Sequence, residues 1–222
     1  MRQAKDNLLR AMLWGSAFVS VAVLLTIVGY LFYKGFSYIS FDFIFGDYSP
    51  VGGGGIFPMI VTTIYTIIIS LIIATPIGIL AAVYLHEYAK QGRLVRIIRY
   101  ATESLTGIPS IIYGLFGAVF FVAILKLGMS IIAASLTLTI IVLPVIIRTT
   151  EEALKTVPAS YREGSLALGT TKLQTLYKVI LPSAMPGILS GIILSIGRIV
   201  GESAAIFLTA GTVAAMPESI FS

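Results

Sequence analysis

Arg198 and Glu202 are the charged residues of the apolar run from Ile180 to Ala215, and they stand four positions apart. On a continuous helix that spacing places both on one face. A charge at bilayer depth costs at least about 2.5 kcal/mol, so such residues face a partner or a wet cavity. Two chemistries fit the pair. In one, the two neutralise each other as a structural ion pair and no ligand is involved. In the other, Arg198 offers its planar fork to the oxygens of an oxyanion, and Glu202 keeps that anion from being held too tightly. The two residues alone leave both open.

A second polar concentration runs from Glu163 to Pro182, with apolar runs on both sides, so it must be a loop that stays in water. Much enzyme chemistry is excluded. There are no cysteines, hence no disulfide framework and no thiolate nucleophile or metal ligand. His86 is the single histidine, which rules out a multi-histidine metal site within the chain. An intramembrane hydrolase would need a buried serine with a base, or an aspartate pair. No Gly-x-Ser-x-Gly occurs, and no aspartate falls within an apolar run. No Gly-x-x-x-x-Gly-Lys-Ser/Thr loop is present, so any work from ATP must come from a partner. No cofactor is expected.

The elements that carry these residues read as membrane spans. Of 222 residues, 57% are hydrophobic and 11% charged, where a soluble domain carries about a quarter charged. Met12 to Tyr33 is uncharged and long enough to cross about 30 Å of hydrocarbon. No small-residue cleavage site follows it, so it reads as a retained span. Lys34 to Ile56 reads as a loop with Asp42, Asp47 and a flexible run from Gly52 to Gly55. Further spans are expected at 57–85, with a kink at Pro76, and at 107–127, 131–147 and 184–208. Between the second and third, Arg93, Arg96 and Arg99 alternate with apolar residues as in an amphipathic helix on an anionic lipid surface.

The net charge of +5 reports topology here, and no nucleic-acid partner. With the N-terminus inside, Arg2, Lys5, Arg10, Lys90, Arg93, Arg96, Arg99, Arg148, Lys155, Arg162, Lys172 and Lys178 are all cytoplasmic. Lys34 and Lys126 lie outside, as does a segment over 209–222. That asymmetry predicts an N-in arrangement with five spans.

The long polar loop, 148–182, has its own punctuation. Thr149 to Val157 should carry the fourth helix into water, until Pro158 stops it. A short helix fits Ala159 to Leu168, with Gly169 as its left-handed cap. Thr171 and Gln174 form a capping box that opens another helix, with Leu173, Leu176, Tyr177 and Ile180 on one face. The result is an elbow exposing Tyr161, Leu166 and Leu168, which suggests a partner surface. Beyond it, the pairs Gly187/Gly191 and Gly197/Gly201 would let another helix, at a subunit interface, come close.

Glu163-Gly164-Ser165, three residues, Gly169, nine residues, Val179, one residue and Leu181-Pro182 resembles the EAA loop of ABC importer permeases. The usual form is Glu-Ala-Ala, three residues, Gly, nine residues, Ile, one residue, Leu-Pro; this chain departs at Gly164, Ser165 and Val179. The segments 76–85, 107–117, 150–158 and 197–204 are similar to permeases of phosphate importers, the A-type more than the C-type subunit. The resemblance implies an all-α polytopic membrane protein, a type I ABC importer permease bundle with five spans visible and the family's sixth absent. The chain is therefore expected to be cut short or to have an incomplete pathway. The expected division is 1–56, carrying the first span and its loop, and 57–222, the permease core. Tyr161, Arg162, Glu163, Gly164, Ser165, Leu166, Leu168 and Gly169 are implied to form the coupling helix that docks on an ATPase subunit. Implied partners are a second permease subunit, two ATPase subunits and a periplasmic phosphate-binding protein. The resemblance favours the relay at Arg198 and Glu202, with phosphate as the anion; molybdate, sulfate, or a passive channel or scaffold are the alternatives.

Overall fold

The computed structural model describes residues 2–49, 54–212, 216, 217 and 219, which are helical or irregular with no strand among them. The expectations at Gly52 and Gly53, and most of those for Pro217 to Ser222, lie outside the described residues. The chain divides into two units, Met1–Phe57 and Pro58–Ser222.

The first unit is dominated by α1, Arg2–Gly35, longer than the expected span because it adds the charged segment from Arg2 to Arg10 to the uncharged stretch from Met12 to Tyr33. Its apolar side chains are exposed, as suits a helix whose surroundings are lipid. The expected loop from Lys34 holds a short helix, α2 (Phe41–Phe45). The Ser40 hydroxyl accepts from the Phe43 amide at 3.1 Å, and Asp42 sits in the first turn, where negative charge suits the helix dipole. Ile56 donates its amide to the Phe43 carbonyl at 2.8 Å, folding the loop back on itself.

In the second unit, α3 (Phe57–Val83) runs through Pro76 and ends in a π-helical turn, Tyr84–Tyr88. Its buried face is Thr66, Ser70, Ala74, Gly78 and Ala82, a small residue at every fourth position. That stripe lets α6 (Ile131–Thr156) approach closely. The Ser70 hydroxyl donates to the Ser135 carbonyl at 3.1 Å, and the Thr139 hydroxyl donates to the Ser70 carbonyl at 3.4 Å. A Cβ placed on Gly78 would stand 2.6 Å from Ile146 Cγ2.

The third expected span differs from what is found. The chain forms α4 (Arg93–Thr106), then α5 (Ser110–Gly117), which continues as a π-helical stretch, Ala118–Ile124. The two segments meet at 97°. Pro109 is responsible: it lacks a donor and drives Ile108 out of helical conformation. The stretch from Ser110 rises only about 22 Å, short of a full crossing alone. Among the described residues, four helices are thus long and apolar enough to cross a membrane, or five if the bent pair counts as one.

The α6 helix is capped by the Ser130 hydroxyl and is the best buried of the long helices. Its last turns continue to Thr156 as expected and are two-faced. Glu152, Lys155 and Thr156 are exposed, whereas Thr150, Glu151, Ala153 and Leu154 are buried, where α9 (Leu181–Val200) and Arg99 of α4 pack against them. Gly187 lies against Ala153, and a Cβ on Gly191 would collide with the Thr149 side chain. The small residues expected to receive another subunit are therefore occupied by the chain's own α6. Gly197, by contrast, faces open space.

The fifth span is the second correction. The helix expected at 184–208 stops at Val200, and α10 (Ala204–Thr209) starts after a break at Gly201 to Ser203. The Glu202 carboxylate accepts the Ala205 amide at 3.3 Å, satisfying one of the donors that the new helix start leaves free.

Candidate functional site

The elbow is assembled from local signals. Val157 turns extended before Pro158, and α6 ends. The next helix, α7 (Ala159–Ala167), is closed by Gly169 at φ +83°, a left-handed conformation that favours glycine. Thr171 then caps α8 (Lys172–Thr175): its hydroxyl accepts the Gln174 amide at 3.3 Å, and its own amide donates to Gln174 Oε1 at 2.9 Å. A π-helical turn, Leu176–Ile180, joins α8 to α9.

Ser165, at one of the positions where this chain departs from alanine, is buried and hydrogen-bonded. Its hydroxyl lies 2.8 Å from Thr170 Oγ1 and 3.0 Å from Thr175 Oγ1, which are 2.9 Å from each other. This triangle of hydroxyls ties α7 to α8, and an alanine could not supply it. On the outer side Tyr161, Leu166 and Leu168 are 52%, 38% and 87% exposed, and Glu163 and Gly164 are exposed beside them. Of the expected apolar face after the cap, Leu176 and Ile180 are buried, whereas Leu173 and Tyr177 remain exposed. Val83, Leu154 and Ala184 share a cluster with Leu176 and Ile180 that does not include the other two.

Behind the elbow lies a network of charges. Arg162 of α7 pairs with Glu87 at the end of α3, and His86 stands 3.7 Å from the same carboxylate. Arg99 of α4 donates to Glu151 of α6 at 3.0 Å, to Gln91 at 3.1 Å and to the Leu85 carbonyl at 3.4 Å. Arg99 thus turns inward, away from any lipid surface, while Leu94 and Ile97 stay exposed. A cleft of about 190 Å³ opens between these parts, lined by His86, Glu87, Arg162, Leu166 and Lys172 among others.

Arg198 and Glu202 are not brought together as one helical face. Arg198 is in the last turn of α9, Glu202 lies in the break, and no ion pair joins them among the described residues. The antiparallel register of α9 on α6, set by Gly187 against Ala153 and Gly191 against Thr149, places Arg198 level with Val142. Its neighbour Ile199 accordingly packs in a cluster with Leu138, Ile141 and Val142. Arg198 thus lies deep along α6, half-buried, with no hydrogen bond or ion pair among the described residues. A larger cavity, about 660 Å³, is lined by Thr62, Thr66, Met129, Ile206, Phe207 and Gly211 among others.

Residues 74–221 match the family described as binding-protein-dependent transport system inner membrane component. The chain belongs to this family. This inner membrane component is 38% identical to the probable ABC transporter permease protein YqgI of Bacillus subtilis, over 95% of its own length and 72% of that protein's. It is 40% identical to the phosphate transport system permease protein PstA 1 of Mycobacterium tuberculosis, over 71% of its own length. It spans about half of that relative, 52%. A solved structure of the MetNI methionine ABC transporter, in an inward-facing conformation, contains a chain with the same fold: TM-score 0.58, 27% identity, covering 71% of this chain and 73% of that one.

The elbow of this multi-pass inner membrane component is braced by the hydroxyl triangle and the Arg162–Glu87 pair. Sequence reasoning located α7 and missed its brace. It assigned Arg99 to an amphipathic helix on a lipid surface and did not single out Glu87, because ion pairs between segments leave no local spacing. The signal for the α3 stripe was present as small residues at every fourth position.

Proposed function

We propose that this inner membrane component is the permease of an ATP-driven importer of inorganic phosphate, and that α7 is its coupling helix. The observation that carries the reading is the exposed apolar surface of Tyr161, Leu166 and Leu168 on a braced elbow. It supports docking in a groove of an ATPase subunit, with Arg162, Glu163, Gly164 and Ser165 shaping the helix and Gly169 ending it. Phosphate is supported by the relatives named as phosphate transport permeases and by Arg198, a deep guanidinium with a fork suited to oxyanion oxygens. In this reading Arg198 receives the anion in the pathway. Glu202 bounds the site from the adjacent break. The partners are a second permease subunit, two ATPase subunits and a periplasmic phosphate-binding protein. The N-terminus and the elbow are cytoplasmic, in keeping with the excess of lysine and arginine there.

The test is uptake of radiolabelled phosphate into proteoliposomes that hold the complete transporter, with sulfate and molybdate as competitors. Phosphate should be taken up with ATP hydrolysis, and neither competitor should displace it. Arg198→Ala should lower uptake at least about tenfold while the ATPase subunits remain bound, as expected for loss of a charge-assisted contact. Wild-type uptake by that variant would refute the role of Arg198. Uptake of another oxyanion in preference would refute the substrate.

A further inference from the structure

The elbow has two covalent routes into the bundle, back through Pro158 to α6 and forward through α8 to α9. The α3 helix lies on neither route. Yet Glu87, at its end, holds Arg162 of α7 across 75 positions of sequence. The Glu87 side chain is 16% exposed and that of Arg162 39%. Removing one partner of such a pair leaves the other charge uncompensated in a mostly buried place. His86 is the other group at this carboxylate, at 3.7 Å, and Lys172 lines the same cleft. Val83 belongs to the same apolar cluster as Leu176 and Ile180, so α3 already lies beside the elbow. Apolar contact of that kind has no preferred direction, whereas the ion pair fixes one point of α7 to one point of α3.

The rest of α3 is one continuous helix, so a shift of one end is carried along it. Its face toward α6 is the small-residue stripe from Ser70 to Ala82, hydrogen-bonded to α6 at Ser70 and flanked by the packed side chains of Ile67, Leu71 and Ile79. Its opposite end, through Pro58, Met59, Thr62 and Thr66, lines the cavity of about 660 Å³. We propose that Glu87 is a positioning residue that transmits displacement of α7 to α3, and through α3 to that cavity. The inference rests on the reading of α7 as the ATPase-docking helix, and adds a route outside the loop that carries it.

The experiment is a double-mutant cycle in the assembled transporter in proteoliposomes: Glu87→Gln, Arg162→Gln and both together, with Glu87→Asp as the conservative variant. Two quantities are read, phosphate taken up per ATP hydrolysed and the amount of ATPase subunit retained. Glu87→Gln should keep the ATPase subunit and hydrolyse ATP, but take up about tenfold less phosphate per ATP, a size typical of coupling between sites. The double variant should be no worse than the poorer single one, because one interaction is lost in all three. Glu87→Asp should recover most of the coupling. Normal uptake per ATP in Glu87→Gln overturns the proposal. So does loss of the ATPase subunit that Glu87→Asp restores without restoring uptake per ATP, since the pair would then serve folding alone. A wild-type complex that hydrolyses ATP without moving phosphate would instead refute the functional reading, and is seen before any variant is made.

Discussion

The two halves of the helix that follows the elbow are made of similar residues and have opposite fates. In the first half, Gly187 and Gly191 are closed against α6. In the second, Gly197 faces open space, and the helix breaks at Gly201. Each end also has a glycine followed by a side-chain cap: Gly169 with Thr171, and Gly201 with Glu202. At the elbow both act as their types predict in water. At the far end Glu202, which in one of the two readings would neutralise Arg198, instead accepts an amide of a new helix, and Arg198 is left for other company. Within α9 the glycine pairs share one spacing in both halves; what differs is whether a neighbouring helix already fills the space.

The strongest way to break this contrast is to fill both kinds of space. Gly191→Leu drives a side chain into Thr149, at the tightest approach of α9 to α6. Overpacking of a fitted contact costs about 1–3 kcal/mol and occasionally more. The backbone here has no room to yield without separating two helices, so the upper end is expected. The variant should be recovered poorly in detergent and melt well below the wild type by size-exclusion thermal challenge. Gly197→Leu meets nothing within 4 Å and should melt as the wild type does. Equal losses from both would show that the second half of α9 is covered by something in the assembled transporter.

A smaller effect separates the two glycines at the ends. Gly169 has φ +83°, where a side chain costs about 1–2 kcal/mol. Gly201 has φ −81°, which any residue adopts. Gly169→Ala should therefore loosen the elbow and reduce retention of the ATPase subunit in a pull-down, by roughly five- to thirty-fold at most. Gly201→Ala should leave retention unchanged.

This division also explains what could be read from the sequence. The elbow was legible residue by residue, because Pro158, Gly169 and the Thr171 box act through their own backbone. The spans were legible from length and apolarity. The bend at Pro109 was announced by the proline and hidden by the apolar residues on either side, which satisfy a hydropathy reading whether or not the helix is straight. The break at Gly201 was hidden for a different reason. A glycine four residues after another is the pattern of close packing as well as of a broken helix, and only the position of α6 decides between them. The Arg162–Glu87 and Arg99–Glu151 pairs join segments far apart in the chain, so no window of sequence contains them.

The smallest effect concerns Gly164, where the family's usual residue is alanine. A Cβ at that position meets nothing within 4 Å, so Gly164→Ala adds no clash. Alanine favours a helix interior over glycine by about 1 kcal/mol. Because α7 is already helical and braced through Ser165 and Arg162, part of that preference is already satisfied. Retention of the ATPase subunit should then stay level or rise by less than about fivefold. The direction matters more than the size. A clear fall, with the melting temperature unchanged, would mean that the partner approaches the backbone of residue 164 more closely than a Cβ permits. The docking groove would then be fitted to glycine, and the departure from alanine would be matched in the partner as well as in this chain.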